Sequence, residues 1–140
     1  MKSTINCNWK DGMAFEAEVN GFKLTLDADA AVGGENKGPR PKPLTLVALA
    51  GCTAMDVISI LKKMRVELKS LNVIVEGELS EEHPRHFTKM HVIYEVEGEN
   101  IPMDKIEKAV SLSEEKYCGV SAFYREVIDI TSEIRIKSQG

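Results

Sequence analysis

Pro39-Arg40-Pro41-Lys42-Pro43 runs directly into Leu44-Thr45-Leu46-Val47-Ala48-Leu49-Ala50-Gly51-Cys52-Thr53-Ala54-Met55-Asp56-Val57-Ile58-Ser59-Ile60-Leu61-Lys62-Lys63-Met64. A residue that precedes proline is pushed out of the α region, so the helix cannot begin before the prolines end. From Leu44 onward the run is apolar on nearly every side. A surface helix carries one apolar stripe, whereas one that is hydrophobic all round is buried. The stretch therefore predicts a buried central helix over 44–64, with a cysteine near its middle and Arg40 held just upstream by stiff prolines. Gly51, beside Cys52, leaves room for another backbone to approach. An arginine, a buried thiol and a helix body without cations make a candidate thiol site.

Upstream, Ser3, Ile5, Cys7 and Trp9 alternate along residues 2–9, and Asp11-Gly12 follows. That pair favours a type I′ hairpin turn, because Asp and Gly tolerate positive φ. Met13 to Val19 is the returning strand, Asn20-Gly21 a second turn, and Phe22 to Leu26 the third strand of a meander. Cys7 reads as a small core or sheet residue. Residues 27–42 form a loop long enough to be functional or flexible.

Downstream, two strands (68–79 and 86–96) flank the turn Ser80-Glu81-Glu82-His83-Pro84-Arg85. Their length suggests a sheet curving around the central helix. Pro102 then opens a second helix, with Asp104 in its first turn where an acid suits the helix dipole. That helix breaks near Tyr117-Cys118-Gly119, a short turn follows, and residues 127–136 alternate as a last strand. The order βββ-α-ββ-α-β, with no repeat and no linker, predicts one α+β domain over residues 1–140.

A net charge of -4 and a pI near 5.4 argue against a nucleic-acid partner. Met1-Lys2-Ser3-Thr4 leads into strand alternation rather than an apolar run, so no signal peptide is expected. Thr45, Gly51, Thr53, Asp56 and Ser59 interrupt the central helix, which speaks against a membrane span. Three cysteines, at 7, 52 and 118, are too few for a disulfide framework. None has zinc-ligand spacing, and His83, His86 and His91 lie far from them in the chain, so no metal is expected. The chain reads as cytoplasmic, where paired cysteines tend to be catalytic.

Cys52 and Cys118 sit on separate helices, each followed by small residues. Two readings of them stand. They are either buried core cysteines or a pair able to reach disulfide distance, with Cα atoms about 4.4–6.8 Å apart. Asp56, one turn after Cys52, reads as a buried acid that caps a backbone group or pairs across a dimer, with no catalytic role.

The run Pro39-Arg40-Pro41…Leu44…Leu46…Ala48-Leu49…Gly51-Cys52-Thr53-Ala54-Met55-Asp56-Val57, with Tyr117-Cys118-Gly119-Val120-Ser121, resembles the OsmC/Ohr family of osmotically inducible and organic-hydroperoxide-resistance proteins. Glu82-His83-Pro84…Phe87-Thr88-Lys89 is most similar to its OsmC-type branch. The resemblance implies curved antiparallel sheets around a long central helix, in an intertwined homodimer. It also implies a thiol peroxidase, in which Cys52 attacks an organic hydroperoxide and Cys118 resolves the sulfenic acid as a disulfide. An external dithiol then reopens that disulfide, with no metal, haem or flavin.

A free thiol has a pKa of about 8.5, and the thiolate is the nucleophile. Cys52 lies about two turns into its helix, where the dipole has faded. A cation must therefore favour its thiolate, and Arg40 is the candidate; its planar fork also suits peroxide oxygens. The family commonly carries a glutamate before this helix to orient the arginine. Here Pro41-Lys42-Pro43 holds no acid, and Glu35 is the nearest substitute. Two functional readings result. One is a reductase of organic or lipid hydroperoxides, favoured by Leu49, Met55 and Phe123 near the cysteines. The other is a redox-sensing or ligand-binding protein with little turnover, favoured by the missing glutamate.

Overall fold

The computed structural model describes residues 1–137, which divide into two compact units, Met1–Thr45 and Leu46 onward, parting within the first turn of the central helix.

The amino-terminal unit is a three-stranded antiparallel meander: β1 (Asn6–Asp11), β2 (Ala14–Val19) and β3 (Phe22–Leu26). Both predicted hairpins form, and Asn20-Gly21 takes φ of 52° and 82° as a type I′ turn needs. The first turn falls one residue later than predicted, since Asp11 stays in β1 opposite Ala14 and the loop is Gly12-Met13, with Gly12 alone left-handed at φ 52°. Every residue of β1 is exposed, Cys7 included, so Cys7 is a sheet residue but not a core one. It lines an apolar cleft of about 410 Å³ with Met13, Phe15, Leu26 and Pro41.

The following loop is organised by one buried carboxylate. Asp27 accepts from the backbone N–H groups of Ala28, Glu35 and Lys37 at 2.7, 3.0 and 3.1 Å. These bonds draw the loop, with its short 3₁₀ turn Ala30–Val32, back onto the end of β3. Gly34 and Gly38 lie against the backbone of Ala28 and Thr25, where a Cβ would collide.

In the second unit, α1 (Leu44–Lys63) precedes β4 (Ser70–Leu79) and β5 (Phe87–Glu97). Then come α2 (Met103–Leu112), a π turn (Ser113–Tyr117), α3 (Gly119–Tyr124) and β6 (Asp129–Ile136). The α+β class and the element order are those expected, with α3 in place of the short turn. The pairing differs in one respect. β4 and β5 are antiparallel, but β6 runs parallel to β5, so the second sheet is mixed. The helical crossover between β5 and β6 returns the chain to the end where β5 began, which imposes parallel pairing.

The core joins Leu49, Val57 and Leu61 of α1 to Met90, Val92, Tyr94 and Val96 of β5, Ile106, Ala109 and Val110 of α2, and Cys118. Within this chain α1 is covered on one side. Only Leu49, Thr53, Val57 and Leu61, one stripe at four-residue spacing, are buried within the chain. Val47 and Met55 remain 62% and 77% exposed. The helix is long and apolar enough to cross a membrane by length and composition, but its buried stripe belongs to this core. Among the described residues nothing beyond its own helix comes within 4 Å of a Cβ placed on Gly51, so the close approach expected there is not made by them.

Candidate functional site

Cys52 and Asp56 are four residues apart on α1, a spacing that puts two side chains on one helix face. Cys118 reaches them from the other side of the core by way of a local irregularity. After α2 the chain widens into the π turn, whose closing bond runs from the Cys118 N–H to the Ser113 carbonyl at 2.7 Å. Such i→i+5 turns recur at functional sites. Cys118 then leaves helical geometry, at φ -77° and ψ 103°, and its Sγ accepts from the Ser121 N–H at 3.3 Å to cap α3.

Two side-chain bonds pin the turn. The Ser113 hydroxyl donates to Asp56 Oδ2 at 3.0 Å, and the Tyr94 hydroxyl of β5 donates to Glu114 Oε1 at 3.0 Å. The two thiol sulfurs and a carboxylate oxygen of Asp56 consequently lie within 4.8 Å of one another. Both thiols are free; Cys52 is half-buried and Cys118 is buried.

The surroundings act against the thiolate of Cys52. Burial pushes its pKa up, and the adjoining Cys118 and the Asp56 charge push the same way, while the Val120 N–H opposes them. Tyr94 is held far above the ordinary phenol range, chiefly by burial and then by the Glu114 charge. Burial, with Cys118 nearby, also raises Tyr124.

Of the residues singled out from sequence, Cys52 and Cys118 come together. Arg40 stands in the amino-terminal unit on the loop before α1, half-buried. It donates to Asn36 Oδ1 at 2.8 Å and to the Gly38 carbonyl at 2.9 Å. Its orienting partner is thus an amide. Glu35, the expected substitute, pairs instead with Lys37 at 3.7 Å. The histidines do not cluster. His83 and His86 occupy the β4–β5 turn region, and His91 bonds Thr131 and Glu133 across the β5–β6 pair.

Sequence reasoning passed over Ser113, Tyr94 and the place of Asp56 beside both thiols. The Cys52–Asp56 spacing was the available signal. Nothing local marks Ser113 or Tyr94, because their partners are remote in the chain.

The OsmC-like protein family matches over residues 34–133. Protein YhfA of Escherichia coli K12 is 33% identical over 129 residues, spanning 91% of this chain and 93% of its own. A hypothetical protein from Aquifex aeolicus superposes with a TM-score of 0.82 at 27% identity, over 100% of both chains. An organic hydroperoxide resistance protein OsmC from Legionella pneumophila gives 0.71 at 17% identity, over 96% of this chain and 97% of the other, a likeness of fold. With a family match that takes in both cysteine motifs, the chain belongs to the OsmC-like family.

Proposed function

We propose that the protein is a thiol-dependent peroxidase that reduces organic, including lipid, hydroperoxides. The observation that carries this reading is the pair of free thiols within 4.8 Å, one half-exposed and one buried. The accessible thiol suits attack and the buried one suits resolution. In the first step the Cys52 thiolate attacks a peroxide oxygen; the S–O bond forms as O–O breaks, and the alcohol leaves with a proton. Cys118 then attacks the sulfenic sulfur, the S–S bond forms, and water departs. An external dithiol returns two electrons and two protons. The turnover needs no bound cofactor.

Arg40 is proposed as the cation that favours the Cys52 thiolate, which burial otherwise opposes. Its hydrogen bonds to Asn36 and Gly38 supply the anchoring that a glutamate would give. A homodimer, in which a second copy covers the exposed side of α1, and a cytoplasmic location complete the proposal.

The raised pKa of Cys52 favours a second reading, a redox sensor or ligand-binding protein oxidised once with little turnover. One experiment separates the two. Reduced protein receives one equivalent of cumene hydroperoxide and is followed by intact mass, beside Cys52→Ser and Cys118→Ser. Loss of two thiols in the parent, gain of oxygen in Cys118→Ser and no change in Cys52→Ser support the thiol roles. Sustained hydroperoxide consumption with a dithiol then supports the peroxidase, and a single oxidation without turnover supports the sensor. A Cys52 that stays reduced overturns the peroxidase and the redox sensor alike and leaves ligand binding.

A further inference from the structure

The three donors around Cys118 have a second use, which does not rest on peroxide chemistry. We propose that reduced Cys52, reduced Cys118 and Asp56 bind one soft divalent cation of the zinc type, with a fourth position left to water. Absence of a zinc spacing in the sequence pointed away from metal, but spacing reports only ligands that are neighbours in the chain.

In space the set is a dithiol with a carboxylate. Thiolate sulfur favours zinc-type ions over magnesium and calcium. Two sulfurs on one tetrahedral zinc stand about 3.8 Å apart, given bonds of about 2.3 Å. The present separations, none above 4.8 Å, already start near that spacing. Groups that orient ligands from behind are already in place. The Ser113 hydroxyl holds one oxygen of Asp56, and the Ser121 N–H donates to the Cys118 sulfur. Such outer partners fix ligand direction in metal sites.

The balance of charge points the same way. A dication favours the charged forms of a carboxylate and two sulfurs placed beside it. The ion takes the sulfur lone pairs and the carboxylate, and each thiol gives its proton to solvent, about two protons per ion. Cys52, half-exposed, provides the route in. Because a disulfide uses the same sulfurs, metal binding and oxidation of the pair exclude one another.

The test uses reduced protein carrying Cys7→Ser, so that the exposed third thiol contributes nothing. Cadmium is titrated under anaerobic conditions and followed by its ultraviolet charge-transfer band with sulfur, with proton release read by an indicator dye. The expected result is saturation at one ion per chain, about two protons released per ion, and displacement by zinc. Cys52→Ser and Cys118→Ser should each lose most of the band. Asp56→Asn, which can still accept from Ser113, should bind at least about ten-fold more weakly. Absence of a saturable band, another stoichiometry, or parental affinity in Asp56→Asn overturns the proposal. Should Asp56→Asn not fold, Ser113→Ala decides: affinity about 10–100-fold lower is expected, and unchanged affinity overturns it.

Discussion

Tyr94 is fully buried in β5, and its hydroxyl crosses to Glu114 on the π turn, close to where Ser113 holds Asp56. The two bonds tie the segment carrying Cys118 to a strand and to a helix. Glu114 is half-exposed, so water can replace part of what the tyrosine offers. Tyr94→Phe should therefore cost about 1 kcal/mol in urea unfolding, with the ring's packing kept. Leu61→Ala, in the same core, should cost about 2–5 kcal/mol, because it removes buried volume outright. At this scale the sequence was legible where partners share a helix turn, as Cys52 and Asp56 do. It was silent where they do not: Ser113 and Asp56 are 57 positions apart, and no local pattern records a hydrogen bond over that span.

Among the elements, the loop after β3 has the clearest dependence on pH. Three backbone N–H groups converge on Asp27 and, led by those of Lys37 and Glu35, hold its carboxyl below the usual range. A depressed folded-state pKa means stability that is present above the unfolded value of about 3.9 and lost as pH falls through the folded one. Urea midpoints should accordingly drop on acidification below that value. Asp27→Asn should be less stable at neutral pH and show a shallower acid limb. The hairpins were readable because Gly12 and Asn20-Gly21 carry their turn chemistry locally, although the first turn forms at Gly12-Met13 rather than Asp11-Gly12. The parallel placement of β6 and the π turn were not, since each is set by what the chain meets after folding back. The same applies to Arg40: its sequence neighbours suggested Glu35 as a partner, and the folded loop supplied Asn36.

For the whole molecule, the telling fact is that α1 is apolar all round yet buries a single stripe in its own chain. Val47, Met55 and Ile58 form exposed apolar surface of the kind that marks an interaction site. In the proposed homodimer a second copy covers it. Sedimentation should then report a dimer, and Met55→Glu should shift the protein toward monomer, because an unpaired charge at a buried contact is costly. A parent that sediments as a monomer at micromolar concentration would remove this part of the proposal. Sequence reasoning saw that a helix apolar all round needs more cover than one sheet gives and looked to a partner's helix for it, although periodicity alone cannot say whether the covering surface is in the same chain.

Sixty-six positions separate Cys52 from Cys118. At the ribosome, with synthesis at about 5–20 residues per second, the first thiol is made about 3–13 s before the second. Throughout that interval the nascent chain carries Cys52 without its companion, and the π turn that delivers Cys118 does not yet exist. A reagent that requires two adjacent thiols would thus ignore growing chains and mark finished ones, making the pair a timestamp for the end of biosynthesis.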